Sequence, residues 1–319
     1  MSYFTCMEKY SFHEGSFPSG CITGFESTLY HHPSHLILQA KEGWHSFFAV
    51  NIKNKKIEAS LHFHVEEGIA RSPRKSPFGS VEFSEELPTI VLFQFLEYVL
   101  AKLQALSLSR IIIKNPPQHY NPRKTALLQT FLFNLGFRVV DAEVGAVLPV
   151  CSEKFEDRID NWEFRKLRQA QESGAMFRAL GLDQLDQVYD FIFDCRKQKG
   201  YSLSMTLDEL RETVRVFPDR FMLNGVFHQE KMVAASIAIR ISSDVLYNFY
   251  SAHNVSYDYL SPVVLLIDGL YQLCQSQKIA LLDLGTSAFQ GKPNFGLLDF
   301  KLRLGAEPTP KLTFEKLFT

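Results

Sequence analysis

The feature that most constrains the fold is a repeated order of elements in the two halves of the sequence. Each half has the pattern of a hairpin, a long apolar helix (residues 91–106 and 263–277), an apolar strand (110–113 and 280–283) and a helix that ends at a Leu-Gly pair. The strand and the Leu-Gly pair recur about 170 residues apart. A constant offset of this kind indicates a tandem duplication of one domain.

Strands and helices alternate within each copy, which is typical of an α/β (α+β) fold. We therefore predict two tandem domains, each with a mixed central sheet flanked by helices. The chain has 319 residues, of which 46% are hydrophobic, and this is sufficient for two cores. We place the boundary so that the N-terminal domain spans residues 1–155 and the C-terminal domain spans residues 156–319.

The segment that joins the copies is rich in charged residues. Asp160 is predicted to cap a helix on which Arg165, Arg168 and Glu172 share one face. Two interpretations remain open, a solvated charged linker or a basic ridge that faces an anionic substrate.

Charge and the distribution of apolar residues argue against a protein that binds nucleic acid through its overall charge, a secreted protein and a membrane-spanning protein. The net charge of −1 provides no global attraction to nucleic acid or to an anionic membrane, although it permits a local basic patch. The N-terminus lacks the basic start and apolar run of a signal peptide, and no apolar stretch approaches the roughly 20 residues of a membrane span. We therefore predict a cytoplasmic protein without a membrane span.

Neither a disulfide framework nor a metal site is predicted. The five cysteines are scattered and include no CxxC pair, so most are expected to be core thiols. His62 and His64 would share one face of a strand, but no carboxylate or cysteine lies near them at a recognisable ligand spacing. With Ser60 they are better explained as the polar face of that strand.

The last helix, predicted over residues 295–304, contains a lysine in an unexpected place. At about 100° per residue, Lys301 falls near the middle of an apolar arc formed by Leu297, Leu298, Phe300 and Leu304. Burial of an ammonium is costly unless it finds partners. The lysine either extends along its stem to the last carbonyls of its own helix or has a functional role.

Comparison of the two copies favours a functional role. The first copy has Leu132 opposite Lys301 and Ile113 opposite Asp283. Apolar residues therefore satisfy packing at both positions, and the polar residues of the second copy need another reason. Asp283 ends a strand beside a glycine, where α/β folds place ligand sites, but it could also simply cap the following loop.

These residues carry a resemblance to a known family. The order of elements in residues 176–318 resembles the GNAT acyltransferase fold. The tail, Asp283-Leu-Gly285 followed by Gly296-Leu-Leu-Asp-Phe-Lys-Leu-Arg-Leu-Gly305, resembles the Fem-type peptidoglycan bridge-forming aminoacyltransferases, which are tandem GNAT proteins. The loop Ser76-Pro-Phe-Gly79 and the basic helix around Arg165 and Arg168 are also similar to the family pattern.

The resemblance implies an acyl-transfer site in the C-terminal domain. Phe300 and Lys301 would take the places of the family's Phe-Lys pair, with the lysine near the donor's 3′ end and the developing oxyanion. Asp283 would be the base or would position the amine. The degenerate N-terminal copy would serve the acceptor, in a cleft between the domains. Further side chains assigned to substrate are Tyr247, Tyr250 and Tyr257, which could line that cleft or be plain core, and Arg165, Arg168 and Arg74, which would attract tRNA.

The acyl donor is predicted to be aminoacyl-tRNA or acyl-CoA, with no bound cofactor. GNAT acetyltransferases bind the CoA pyrophosphate at a glycine-rich turn before a helix, whereas residues 256–262 contain no glycine and Pro262 lacks an N–H. This favours a Fem-like transfer of an aminoacyl or acyl group to a primary amine of a small or cell-wall-related acceptor, possibly from charged tRNA. The alternatives are an acetyl-CoA-dependent N-acetyltransferase and a non-catalytic binding module.

Overall fold

The computed structural model describes residues 9–289 and 291–318. Its strands, in chain order, are β1 (Tyr10–Glu14), β2 (Ile22–Thr23), β3 (Trp44–Asn51), β4 (Lys56–Glu66), β5 (Ile69–Ser72), β6 (Val81–Phe83), β7 (Arg110–Lys114), β8 (Arg138–Pro149), β9 (Met176–Leu180), β10 (Phe221–His228), β11 (Lys231–Arg240), β12 (Val245–His253), β13 (Leu281–Thr286), β14 (Ala288–Phe289), β15 (Lys292–Pro293) and β16 (Glu307–Leu317). Its α-helices are α1 (Pro33–Gln39), α2 (Thr89–Gln104), α3 (Pro122–Asn134), α4 (Asn161–Glu172), α5 (Leu185–Gln198), α6 (Leu207–Val216), α7 (Pro262–Ser276) and α8 (Phe295–Arg303).

The chain divides into two compact units. The first contains Met1–Glu143 and Pro310–Thr319, and the second contains Val144–Thr309. The segment from Pro310 onward joins the first unit because Phe314 pairs with Ile113 of β7 and is fully buried there. The sequence had assigned this segment to the C-terminal domain, and the boundary predicted after residue 155 lies inside the second unit.

The first unit has a mixed sheet with strand order β1-β3-β4-β5-β7-β16. Neighbouring strands are antiparallel except β5 and β7, which are parallel. Helix α2 packs on this sheet through apolar residues at helical spacing, namely Leu92, Phe95, Leu96, Val99 and Leu103. The helix was predicted to run to Leu106, but it ends at Gln104 and Leu106 is exposed.

The second unit repeats this plan with strand order β8-β13-β12-β11-β10-β9. Only β12 and β13 are parallel in this path. Helix α7 packs on the face that carries Ala234 and Ala238 of β11. Helix α5 brings Arg196 over Tyr250, which pairs with Ile237 of β11. Because Ile237 and Ala238 point to opposite faces, α5 and α7 cover opposite faces of the sheet.

Most local sequence signals gave the right elements. The β3–β4 and β10–β11 hairpins and the Asp160 cap are present as predicted, and Thr206 and Glu209 form a capping box at the start of α6. Ser261 makes no side-chain capping bond, because it takes the left-handed conformation (φ +48°) that turns the chain into Pro262.

Strand lengths were predicted less well. The strand predicted at 280–283 is observed at Leu281–Thr286, and β8 runs on to Pro149 because β13 supplies a partner for its second half. Strand β9 was not predicted, and neither was the β14–β15 hairpin between β13 and α8, of which Gln290 lies outside the described residues. The length of β8 and the presence of β9 depend on pairing between distant segments, which local sequence patterns do not show.

The cysteines and histidines form no disulfide or metal site within the described parts of the chain. Cys195 and Cys274 are buried, Cys21 is half-buried and Cys151 is exposed; all four are free, and Cys6 lies outside the described residues. Ser60, His62 and His64 are buried rather than solvated. Over residues 9–289 and 291–318, no group of three His, Cys, Asp or Glu side chains could hold a metal ion. No helix in those ranges is long and apolar enough to span a bilayer.

Candidate active site

The centre of the candidate site is the end of the parallel pairing between β12 and β13. These strands pair at three positions, and the last pair is Tyr247 with Asp283. Beyond it, β12 continues to His253 and β13 to Thr286 without further pairing to each other. The carboxyl end of parallel strands is a common position for ligands in α/β sheets, because backbone groups there are open to other partners.

Strand β13 bends immediately after this last pair. Asp283 pairs with Val147 of β8 and Thr286 pairs with Gly145, so β13 has an extra residue between them. Gly285 provides the bend with a left-handed φ of +78°. The Asp283 carboxylate fixes the bend by accepting a hydrogen bond from the Gly285 N–H at 2.7 Å. A Cβ on Gly285 would meet the Tyr247 ring at an ordinary 3.5 Å, so the backbone conformation, not space, requires glycine.

The Lys301 ammonium binds the carbonyls that this bend exposes. Its Nζ donates to Gly285 O at 2.9 Å and to Thr286 O at 3.0 Å. The side chain is only 6% exposed, so it does not extend to solvent or to the last carbonyls of α8. Helix α8 itself is well defined, because Asn294 caps its start and Gly305 (φ +79°) follows its end.

The environment makes this ammonium easier to deprotonate. Burial lowers the pKa of Lys301 from 10.5 to about 8, and the nearby Asp283 carboxylate opposes that shift. At neutral pH the group therefore remains mostly a cation, although neutral pH is only about one unit below its pKa. An ammonium has three N–H donors, so it can bind two carbonyls and still direct one donor to a ligand.

A half-buried arginine lies on the face of the sheet that carries Tyr247 and Asp283. The Arg196 guanidinium of α5 lies 5.4 Å from the Tyr250 ring centroid and donates a long hydrogen bond of 3.5 Å to Ser251 O. Burial lowers the pKa of Arg196, while Tyr250, Tyr247 and Tyr201 act in the opposite direction. Within the described residues the guanidinium is paired with no carboxylate. Arg196 can therefore bind an anionic group of a substrate.

Sequence reasoning did not identify Arg196, although a signal was present. Tyr189 and Ile192 are buried on α5, and residue 196 continues their helical stripe at i+7 and i+4. A cation on an apolar stripe is the same pattern that singled out Lys301.

The predicted tyrosines have different surroundings. Tyr247 lies beside Gly285 and 5.7 Å from the Phe249 ring. The Tyr250 hydroxyl is bonded to Ser204 Oγ and accepts from the Met205 N–H, and the residue is 3% exposed, so it anchors the segment between α5 and α6. Tyr257 contacts the rings of His228 and Tyr259 and packs against the core of the second unit.

The remaining predicted residues lie outside the cluster around Lys301. Phe300 is half-buried against the core of the second unit. Arg165 is exposed, and Arg168 is exposed beside Glu172 at 3.9 Å. Arg74 belongs to the first unit, where it donates to Gln39 O at 3.0 Å and to Glu66 at 3.3 Å. The residues that the structure brings together are thus Lys301, Asp283 and Tyr247.

The equivalent strand end of the first unit is closed by its own chain. The parallel pairing of β5 and β7 ends at Ser72 and Ile113. The loop that follows returns, and the Gly79 N–H donates to Lys114 O, the next carbonyl of β7, at 3.0 Å. Phe78 of this loop is buried. Backbone from residues 73–79 therefore occupies the position that stays open in the second unit.

Comparisons with known proteins agree with this architecture. Residues 163–301 match the family described as an acetyltransferase (GNAT) domain. A search of curated proteins finds no match. Among solved structures, FemX is 11% identical with a TM-score of 0.69, over 92% of this chain and 93% of FemX.

Two further structures have lower TM-scores. L-PGS from Bacillus licheniformis is 15% identical with a TM-score of 0.55, over 88% of this chain and 86% of that protein. A tandem GNAT protein from the clavulanic acid biosynthesis pathway is 12% identical with a TM-score of 0.50, over 86% of this chain and 82% of that protein. At these identities the likeness concerns the fold, and it confirms the predicted tandem GNAT architecture and the resemblance to Fem-type proteins.

Proposed function

From the premise that the chain is an acyltransferase of the GNAT fold, matched at residues 163–301, we propose that it transfers an aminoacyl or acyl group to a primary amine. The observation that carries the proposal is the buried Lys301 ammonium at the open end of β12 and β13. The first unit has leucine at the equivalent position, so packing alone does not call for a cation there.

The proposed chemistry assigns one role to each polar group. The amine nitrogen attacks the acyl carbon, an N–C bond forms, and the carbonyl oxygen gains negative charge. Lys301 stabilises that oxyanion through its third N–H. Asp283 holds the attacking amine or receives its proton. The intermediate collapses with loss of a ribose hydroxyl, if the donor is aminoacyl-tRNA, or of a thiol, if the donor is acyl-CoA.

The segment before α7 favours aminoacyl-tRNA over acyl-CoA. A pyrophosphate at a helix N-terminus needs free N–H groups. Here Ser256 N–H is bonded to Asn254 Oδ1, Ser261 N–H to Asp258 O and Val264 N–H to Ser261 O, and Pro262 has no N–H. The match to an acetyltransferase domain favours the second candidate, an acetyl-CoA-dependent N-acetyltransferase.

Partners and roles of the units follow from the same proposal. Arg165 and Arg168 would contact the RNA of the donor, whereas Arg74 would first have to leave Glu66. The first unit, whose strand end is closed by its own loop, would recognise the acceptor, a small or cell-wall-precursor amine, and provide no second reaction centre. Charged tRNA is a cytoplasmic donor, so we propose the cytoplasm as the site of action.

Two measurements test the proposal. Calorimetric titration at low salt with a non-hydrolysable aminoacyl-RNA 3′-end analogue should show micromolar binding, and acetyl-CoA should bind more weakly. Micromolar binding of acetyl-CoA instead would establish the second candidate, and binding of neither would favour a non-catalytic module.

The second measurement uses Lys301→Met. It should reduce turnover at least about 100-fold with folding intact, whereas Lys124→Met, which removes a half-buried lysine of the first unit, should not. Turnover of the wild type should fall as pH rises through about 8, because Lys301 then loses its charge. Full turnover by Lys301→Met would disprove the assignment.

A further inference from the structure

A completely buried carboxylate lies on the opposite side of the helix that carries Lys301. Glu163, in the first turn of α4, is 0% exposed. Its Oε1 accepts from Arg303 Nε at 2.9 Å, and both of its oxygens accept from Lys166 Nζ at 3.1 Å. A carboxylate is buried in this way only when cations compensate for its lost hydration.

Arg303 is held at both its side chain and its backbone. Its carbonyl accepts from the Asp160 N–H at 2.8 Å, while its guanidinium binds Glu163. The next turn of chain is equally constrained, because a Cβ on Gly305 would lie 2.8 Å from Arg158 O. The start of α4 and the segment before it therefore hold the C-terminal end of α8 in place.

The two cations of α8 point in opposite directions. Lys301 and Arg303 are two residues apart, which is about 200° around a helix. One side of α8 is thus attached to the Gly285 and Thr286 carbonyls through Lys301, and the other side to Glu163 through Arg303. Rotation of α8 that released one contact would also strain the other.

We propose that Glu163 is a positioning residue, which acts through Arg303 to hold α8 in the orientation that keeps the Lys301 ammonium on the carbonyls of β13. The role rests on the proposed function of Lys301, since it concerns the geometry of the same site. Glu163 itself does not contact substrate in this proposal.

The test follows the ionisation of Lys301, which needs no substrate. In protein labelled with ¹³C-lysine, the Cε shift of Lys301, assigned by its loss in Lys301→Met, should titrate near pH 8. In Glu163→Gln the released helix lets the ammonium reach water, so the titration should move upward by at least about one pH unit. Arg303→Met breaks the same contact from the other side and should give the same shift, even if Glu163→Gln folds poorly. The double variant should add nothing further.

A matched control separates positioning from general stability. Asp186→Asn removes an exposed carboxylate–arginine pair of the same unit, Asp186 with Arg211, and should leave the Lys301 titration unchanged. Loss of thermal stability in both Glu163→Gln and Arg303→Met, with the Lys301 titration still near pH 8, would overturn the proposal. Failure of Lys301→Met to reduce turnover would instead refute the proposed function, so the two failures are distinguishable.

Discussion

Replacement of Lys301 by methionine has a consequence for stability that can be worked out from its burial. The pKa of Lys301 is about 8 in the folded protein and 10.5 for an ordinary lysine. Below pH 8 the folded state carries the full cost of the buried charge, about 3 kcal/mol for a gap of this size. Between the two values the unfolded chain binds more protons than the folded chain, so the stability contribution of Lys301 rises with pH. Between pH 7 and pH 9 the expected gain is about 1 kcal/mol.

Urea denaturation at pH 7 and pH 9 measures this gain. Between pH 7 and pH 9 the wild type should become more stable relative to Lys301→Met by about 1 kcal/mol, because all other titrating groups are common to both proteins. The difference in the free energy of unfolding at a single pH is less informative, since methionine also leaves the Gly285 and Thr286 carbonyls without their donor. Lys154→Met, at an exposed lysine, serves as the control. If the free energies of unfolding of wild type and Lys301→Met differ by the same amount at both pH values, the burial of a charged ammonium is refuted.

Three further substitutions test the neighbours of Lys301. Asp283→Asn can still accept from the Gly285 N–H and should therefore fold, but turnover should fall about 100-fold, as measured with saturating substrates. Arg196→Gln should raise KM about tenfold with little change in kcat, because it removes an anion-binding group and no reacting one; an unchanged KM would contradict this role. Gly285→Ala should destabilise the protein by about 1 kcal/mol in urea, owing to the left-handed backbone at this position (φ +78°).

Periodicity and capping chemistry were sufficient to predict the long helix of each half, the helix after Asp160, α8 and the tandem plan, although α1 (Pro33–Gln39) was not predicted. Both signals are local, so they survive without knowledge of the tertiary structure. The same locality explains why Lys301 and Asp283 could be proposed together. The strand that contains Asp283 leads through the short β14–β15 segment into α8, and the two residues are therefore close in space for a simple reason of connectivity.

The rest of the site depends on an irregularity that the sequence does not reveal. In a regular strand, Tyr247 and Tyr250 would point to opposite faces of the sheet, because they are three residues apart. The pairing of β12 with β11 shifts between Ile237 and Ala238, and Phe249 is the extra residue. Both tyrosines consequently approach Arg196 from the same face. A bulge is set by pairing across strands, so neither this cluster nor the role of Arg196 could be predicted from spacing.

The two units provide different hydrogen-bond partners for the carbonyls that follow the end of the parallel strand pair. Each parallel strand pair stops at an equivalent position, Ile113 in the first unit and Asp283 in the second. A strand end inside a fold needs partners for its next carbonyls. The first unit provides a backbone N–H from Gly79, which bonds to Lys114 O. The second provides the Lys301 ammonium, which bonds to Gly285 O and Thr286 O.

Only the second solution leaves a group that can do chemistry. A backbone N–H is a single donor, and one hydrogen bond uses it completely. An ammonium has three donors and also carries a positive charge. Lys301, which stands where the first unit has Leu132, is therefore more than a polar residue tolerated in a core. It satisfies the bend at Gly285 and, at the same place, brings a desolvated cation to the open end of the sheet, where charge developing on a substrate oxygen would be stabilised most strongly.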